Sequence, residues 1–423
     1  MSGITIAVFQ EYYIKEDNVM VSSGDTAWML VSTALVMIMT PGLGLFYGGM
    51  VRTKNVLGTI MQSFMCLGIV SVIWVLYGYS LAFGPDMGGF IGSLDWAGLR
   101  NVGMGPGPYS DKIPHLVYCA FQLMFAIITP ALITGAFAER MKFSAFIIFT
   151  ILWSTFVYLP MCHWVWGGGW LGKMGALDFA GGTVIHILSG VAALSAALIV
   201  GKRRVFGREP IYPNNLTMTM LGAALLWFGW FGFNAGSAVA ANGVAGLAFF
   251  NTHIATAAAA LSWILFERFV RGRATTLGFA SGAIAGLVAI TPAAGFVTPL
   301  PAVVIGFVAG AVCYFAVLAK EKLHYDDSLD VVGVHGIGGL WGALATGLFA
   351  SVGGTGLFYG NAHQLAVQLT ASGTAVVFSF AMTSIILFAL QKTIGLRVDD
   401  EQEEEGLDKS MHGETGYYIS TSR

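Results

Sequence analysis

Two apolar stretches, GGTVIHILSGVAALSAALIV (residues 181–200) and VVGVHGIGGLWGALATGLFA (residues 331–350), each carry one histidine within a run long enough to cross a bilayer. The histidines are His186 and His335, and a glycine follows each of them four residues later. An ionisable side chain inside a membrane span is costly, so it indicates function unless a neighbouring helix merely satisfies it. Two such histidines in matching surroundings favour the functional interpretation.

The composition is that of a membrane protein with many spans. Of the 423 residues, 56% are hydrophobic and 10% are charged, whereas soluble chains contain about 25% charged residues. The 56 glycines suit close helix packing in lipid. The four cysteines have no metal-ligand spacing, which predicts reduced packing residues. A net charge of −2 gives no sign of a nucleic-acid partner.

Eleven apolar runs are each close to the roughly 20 residues that a membrane-spanning helix needs. We number them span one to span eleven, at residues 28–50, 57–83, 115–138, 143–161, 181–200, 216–236, 244–266, 275–291, 299–319, 331–350 and 365–391. The predicted fold is an all-α polytopic membrane protein. Its parts are an extracytoplasmic N-terminal segment (1–27), a transmembrane domain (28–391) and an acidic cytoplasmic tail (392–423).

The basic residues predict the orientation in the membrane. An odd number of spans puts the two ends of the chain on opposite sides. With the N-terminus outside, 17 of the 21 lysines and arginines lie inside, and only Lys15, Arg100, Lys112 and Lys173 lie outside. The positive-inside rule therefore predicts a multi-pass protein of the inner (plasma) membrane, with the N-terminus outside and the C-terminus in the cytoplasm.

Three pairs of matching motifs predict an internal repeat. FYGG at the end of span one recurs as FNAG at the end of span six, and ITPA occurs at 128–131 in span three and at 290–293 in span eight. His186 of span five then corresponds to His335 of span ten. Each comparison jumps five spans, an odd number, so the two five-helix halves are expected to be inverted, with span eleven outside the repeat. A substrate site is expected near the midplane between them.

Acidic residues stand shortly before both histidines. Asp178 directly precedes span five, and we interpret it as the cap of that helix, whose charge also favours a passing cation. Asp330 is expected to be a solvated cap of span ten, and Asp326 and Asp327 are expected to be surface residues.

Trp166 lies in HWVWGGG (163–169), near the outer boundary of span four. Tryptophans at such a boundary usually anchor the helix in the bilayer. Here three glycines follow, so the ring could project from irregular backbone and hold a small cation by its π face. The residues alone leave both interpretations open.

The two histidine stretches and HWVWGGG resemble the ammonium transporter family (Amt/Mep/Rh), specifically its bacterial Amt branch. The same resemblance is carried by PGLGLFYGG (41–49), WFGFNAGSA (230–238) and EEEGLDKSMHGETGYY (403–418). The resemblance runs from about residue 26 to the end of the chain. It implies eleven helices in two inverted halves, assembled as a homotrimer with one pore per subunit. It also implies transport of ammonium or ammonia, with methylammonium as an analogue. We expect no enzyme activity, cofactor or metal.

The resemblance assigns roles to seven residues. They are Trp166, Phe125 and Ser237 at an outer substrate-binding site, Phe125 and Phe233 at a pore gate, His186 and His335 along the pore, and Asp178 as a structural carboxylate. The expected path takes NH4+ from the outer site past the phenylalanine gate into an apolar pore, as NH3 with or without a relayed proton. The Rh branch generally lacks the outer tryptophan, so Trp166 favours Amt.

Two other functions are weighed against transport. A sensor would keep the transporter fold and signal through its cytoplasmic tail. An intramembrane metalloenzyme is disfavoured, because the histidines have neither a third ligand nearby nor HExxH spacing. The tail by itself is typical of a solvated acidic segment. The resemblance instead implies that it packs on inner loops, with Gly406–Asp408 at a turn, and that a PII-type signalling protein binds there.

Overall fold

The computed structural model describes residues 21–417, and its helices follow the predicted spans, so the span numbers are kept. In this range, ten helices are long and apolar enough to cross a membrane. In order, spans one to seven and nine to eleven are Ser23–Met50, Thr53–Phe83, His115–Phe137, Phe143–Lys173, Gly182–Val200, Leu216–Gly236, Gly243–Arg271, Pro299–Lys322, Val332–Phe349 and Ala362–Thr393. The predicted all-α membrane fold is confirmed. Predictions for residues 1–20 and 418–423 lie outside the described residues.

Span eight is the exception in length. The helix Thr276–Ile290 is apolar but has only 15 residues. At 1.5 Å per residue it extends about 22 Å, less than the roughly 30 Å of a bilayer core. Eleven crossings, and the orientation that depends on them, therefore stay predictions.

Within the described residues, four spans contain a π-helical turn. The turns are Trp74–Gly78 in span two, Ser154–Tyr158 in span four, Gly182–Ile187 in span five and Val332–Ile337 in span ten. Such turns are rare and frequently mark functional sites. Spans five and ten both begin with one, and each of these two turns contains the predicted histidine. This shared start supports the predicted repeat.

Spans one and six, which correspond in the predicted repeat, have the most extensive helix–helix contact in the described part of the chain. Small residues allow it: a Cβ added at Gly222 would lie 2.3 Å from the backbone nitrogen of Phe46, and one at Gly49 would lie 2.2 Å from Oγ1 of Thr219. Helices associate in lipid through close backbone approach of this kind, because burial of apolar surface contributes little free energy to helix association there.

The segment between spans two and three forms two small hairpins. Asp86–Met87 pairs with Ile91–Gly92, and Pro106–Gly107 pairs with Ser110–Pro114. We call the end of the molecule that carries these hairpins the loop face, and the opposite end, which carries the tail, the tail face. The segment between spans two and three therefore forms an ordered cap over the loop face.

The tail folds as two short helices, Asp400–Glu405 and Leu407–His412, which meet at Gly406 with a φ of +103°. The Asp408 carboxylate accepts the amides of Leu57 at 3.0 Å and Gly58 at 2.8 Å. The predicted turn is therefore present, and the described part of the tail packs on the start of span two.

The segment before span ten departs from the prediction. Asp326 and Asp327 are 0% and 1% exposed, so their assignment to the surface was wrong. Arg203 covers this segment, and its Nη2 pairs with the Asp326 carboxylate at 2.8 Å. Asp327 Oδ2 accepts the amide of Val332 at 2.7 Å. The carboxylate that caps span ten is thus Asp327 and not Asp330.

Candidate functional site

A cavity of about 250 Å³ opens on the loop face. Its lining includes Trp166, Phe125, Ser237 and Asp178, which the sequence predicted, together with Gln122 from span three. The three residues assigned to an outer substrate site are therefore brought together from spans three, four and six.

The Trp166 indole belongs to this cavity. Trp166 directly follows the helix Leu159–Val165, and its Nε1 donates to the carbonyl oxygen of Asp178 at 2.9 Å. The ring stands edge-on to Phe125, with centroids 6.0 Å apart and an angle of 87°. The indole thus lines the cavity, and its ring is tied to the segment that starts span five.

Two hydrogen-bond acceptors accompany the rings. Ser237 Oγ donates to the carbonyl oxygen of Phe233 at 2.8 Å, which leaves its lone pairs available. Gln122 Nε2 donates to the hydroxyl of Tyr118 at 3.2 Å, while its Oε1 has no partner among residues 21–417. Gln122 is only 8% exposed. The sequence reasoning missed Gln122, although an amide three residues before Phe125 in an apolar span was a visible signal.

Two rings packed against each other at a tilt close the cavity toward the protein centre. The centroids of Phe125 and Phe233 are 4.4 Å apart at 36°, and both side chains are almost fully buried. Beyond them lies His186, whose ring stacks near Phe233 at 6.2 Å and on Trp230 at 5.5 Å. The two rings predicted as a gate therefore stand between the cavity and the first histidine.

The two histidines are in direct contact. Nδ1 of His186 lies 3.2 Å from Nδ1 of His335, and both rings are buried. Only one of two facing nitrogens can carry the hydrogen, so the tautomer of one ring determines that of the other. Nε2 of His186 has no partner in the described chain. Across residues 21–417, no three His, Cys, Asp or Glu side chains are grouped to hold a metal.

The glycines that follow the histidines explain how the two spans come so close. A Cβ at Gly190 would lie 2.1 Å from the backbone nitrogen of Gly336, next to His335. A Cβ at Gly339 would lie 2.9 Å from Cβ of His186. Each span therefore receives the histidine segment of the other against a glycine.

A small cavity of about 20 Å³ lies on the tail side of the pair. Its lining includes His335, Tyr47 and Asp330. Asp330 also pairs with Lys320, so this end of the path is polar. The space has room for about one water molecule.

Asp178 caps span five as predicted. Its Oδ1 accepts the amides of Gly181 and Gly182 at 2.8 and 2.6 Å, and its Oδ2 accepts those of Thr183 and Val184 at 2.8 and 3.1 Å. Four orphan amides at the start of the span are thereby satisfied by one carboxylate.

The sequence and the fold both resemble those of known proteins. The model of the Ammonium Transporter Family matches residues 27–417. An ammonium transporter of Bacillus subtilis (strain 168) is 54% identical over 403 residues, which cover 94% of this chain and 99% of the relative. Saccharomyces cerevisiae Mep2 has a TM-score of 0.88 at 39% identity, covering 96% of this chain and 94% of its own. A sensor Amt protein has a TM-score of 0.86 at 30% identity, covering 92% and 98%. The chain belongs to the ammonium transporter family.

Proposed function

We propose that this chain, as a transporter of ammonium, recruits NH4+ in the loop-face cavity and delivers it past the histidines as ammonia, with or without a relayed proton. One observation carries the proposal. Three features follow one another along a single path. They are an aromatic cavity with hydrogen-bond acceptors, the packed rings of Phe125 and Phe233, and the two histidines in contact with each other.

Selection would take place in the cavity. Ammonium is a cation with four N–H donors. The π faces of Trp166 and Phe125 can attract its charge, each by about 0.5–2 kcal/mol. Ser237 Oγ and Gln122 Oε1 can accept its N–H groups. Potassium has a similar size but no N–H groups to direct at these acceptors, which favours ammonium.

The ring pair would impose the chemical change. A hydrated ion cannot pass while the centroids of Phe125 and Phe233 are 4.4 Å apart. The space beyond is lined by buried rings, where an isolated charge loses its hydration. Both effects favour neutral ammonia over ammonium as the species that moves on.

The histidine pair would determine what happens to the proton. Each ring can offer a nitrogen lone pair to ammonia, and the shared Nδ1 contact gives a proton a route between the rings. The permeating unit is therefore NH3, NH4+, or NH3 with a separately relayed proton, depending on these two residues.

We place the loop face outside and the tail face in the cytoplasm, in the inner (plasma) membrane, because most basic residues lie at the tail face. The domain division into residues 1–27, 28–391 and 392–423 belongs to this proposal. So do the homotrimer, and a PII-type protein that binds the tail face. Large apolar side chains exposed on the helices provide surface for lipid and for other subunits.

The test is electrophysiology on supported membranes with protein in liposomes, run beside methylammonium uptake. We compare wild type with His186→Ala and Trp166→Leu. A net ammonium current that His186→Ala abolishes supports a proton relayed through the pair. Uptake without any current supports conduction of ammonia as a gas. Trp166→Leu is expected to raise the half-saturating concentration, because the cation loses one π face.

Absence of both current and uptake in folded wild-type protein would contradict the proposal. Substrate-dependent binding of a partner at the tail in the absence of flux would instead favour a sensor. The 54% identity to a relative described as a transporter, against 30% to one described as a sensor, favours transport.

A further inference from the structure

His163 lies three residues before Trp166, and its imidazole is completely buried. Its ring nitrogens face two acceptors: Nδ1 is 3.0 Å from the carbonyl oxygen of Ala82, and Nε2 is 3.0 Å from Oδ1 of Asp86. A carbonyl oxygen and an ionised carboxylate accept hydrogen bonds but cannot donate them. With Asp86 ionised, both ring nitrogens therefore face acceptors, an arrangement that only a doubly protonated ring satisfies at both positions.

Two further donors hold Asp86 in its ionised form. Nζ of Lys173 donates to Oδ2 at 2.5 Å, and the amide of Gly89 donates to Oδ1 at 2.7 Å. The pKa of the Asp86 carboxyl lies well below its ordinary value, because Lys173 and His163 donate to it. The carboxylate in turn would balance the charge of a doubly protonated ring at His163, which would be costly to bury alone.

The imidazole is packed directly against the turn that carries Trp166. The amides of Gly167 and Gly169 donate to the carbonyl oxygen of His163 at 3.0 and 2.9 Å. A Cβ at Gly167 would lie 1.9 Å from the carbonyl oxygen of Ala82 and 2.7 Å from Nδ1 of His163. The turn, the imidazole and the end of span two are therefore in contact, and a displacement of the imidazole moves the turn.

The first hairpin of the loop face holds the same turn from its other side. Asp86 begins this hairpin. The carbonyl oxygen of Gly89 accepts the amide of Trp170 at 3.1 Å, and that of Phe90 accepts Nε1 of Trp164 at 2.7 Å. The ion pair thus joins the hairpin to the segment on both sides of Trp166.

We propose that His163 is doubly protonated and that its ion pair with Asp86 is a positioning element for the loop-face ammonium site, because it fixes the turn from which the Trp166 indole reaches the cavity. Neither side chain is among those that line the cavity. Both therefore act through the turn. The inference rests on the proposed function, since it takes Trp166 to bind ammonium.

The test measures the initial rate of methylammonium uptake into proteoliposomes against concentration. The variants are Asp86→Asn, His163→Gln, the combination of both, and Trp166→Leu. Asparagine and glutamine keep similar volumes but cannot form the ion pair. Each single variant is expected to raise the half-saturating concentration about fivefold, with the maximal rate kept within about twofold. The double variant is expected to have the same half-saturating concentration as the single variant with the higher value, because the pair acts as one unit.

Two controls accompany these variants. Lys173→Met removes the 61% exposed donor to Oδ2 of Asp86 but leaves the His163 contact at Oδ1, so its half-saturating concentration is expected to rise less than that of Asp86→Asn. Nitrogen-15 NMR of histidine-labelled wild type is expected to show a ring with both nitrogens protonated, and this signal is lost in His163→Gln. The wild-type spectrum is informative even if a variant fails to fold.

The outcomes separate the two proposals. If Trp166→Leu raises the half-saturating concentration and His163→Gln does not, the positioning role is overturned and the ammonium site stands. If Trp166→Leu has no effect, the ammonium site itself fails. A fall in maximal rate alone, in proportion to the folded protein recovered, also overturns positioning. The spectrum of a neutral ring at His163 overturns the assigned protonation state.

Discussion

The two spans that bear the histidines start in the same way, with a π-helical turn that follows a buried carboxylate. Asp178 stands eight residues before His186, and Asp327 stands eight residues before His335. The positions correspond in the repeat, but the two carboxylates are satisfied to very different extents.

Asp178 is saturated with donors, whereas Asp327 is not. Four amides donate to the oxygens of Asp178. Asp327 Oδ2 accepts the amide of Val332, but its Oδ1 is buried with no hydrogen-bond partner in the part of the chain that is described. Lys320 donates to the backbone oxygen of Asp327 at 2.9 Å.

Burial raises the pKa of both carboxyl groups, and the donors decide how the charge is held. At Asp178 the four amides oppose the rise and favour the ionised form. Burial raises the pKa of Asp327 to about 6, with Lys320 opposing it. One helix start thus holds its buried carboxylate with four amides, while its counterpart leaves one buried carboxylate oxygen without a donor among the described residues.

The largest effect is expected for Asp178→Asn. Asparagine has one acceptor oxygen and one NH2 group, so two of the four amides lose their acceptor. Each buried amide left unsatisfied costs about 1–3 kcal/mol. We expect a much lower melting temperature in detergent and the loss of most methylammonium uptake. Unchanged melting and uptake would show that the amides find other acceptors, and would remove the contrast between the two caps.

A smaller effect is expected where the two spans touch. Gly190→Ala would place a Cβ 2.1 Å from the backbone of Gly336, and Gly339→Ala would place one 2.9 Å from Cβ of His186. Both must push the spans apart, at about 1–3 kcal/mol, and Gly190→Ala more than Gly339→Ala. Uptake should fall in that order. Gly373→Ala is the matched control, because nothing lies within 4 Å of its Cβ position.

The smallest effect on transport is expected for Asp327→Asn. Because the folded pKa of about 6 lies above the ordinary 3.8, proton binding by Asp327 stabilises the native state. This contribution is complete below the ordinary pKa and is lost as the pH rises through about 6. The melting temperature of wild type should therefore fall, relative to Asp327→Asn, between about pH 4 and pH 7. Equal destabilisation by Asp327→Asn and Asp178→Asn at pH 7 would contradict the comparison.

The helices could be predicted because lipid demands long apolar runs, and the predicted span six, 216–236, coincides with Leu216–Gly236. The charged segment DDSLD could not be predicted in the same way. Its composition is typical of an exposed loop, and only the tertiary fold places Arg203 over it. The equal spacing of eight residues was nevertheless present in the sequence, and it would have pointed to Asp327 as the counterpart of Asp178.

The residues of the candidate site could be predicted only in part from the sequence. The seven residues taken from the family resemblance lie along one path, while their roles stay proposals. Gln122 and His163 were visible as polar residues in apolar helices. Their significance depends on which atoms they face, and the acceptors of His163 lie 77 and 81 positions away along the chain. Such pairings are set by the packing of spans and cannot be inferred from local sequence.

The Nδ1–Nδ1 contact between the histidines limits how many protons the pair can pass in succession. If a proton binds Nε2 of His186, the shared hydrogen moves to His335, and the hydrogen on Nε2 of His335 leaves. One proton has then crossed, and both rings are left in the opposite tautomer. The pair cannot accept a second proton from the same side until it is reset by ring rotation or by return of a proton. Stacking of His186 on Trp230 hinders rotation. Such a pair can pass at most one proton before its tautomers are restored.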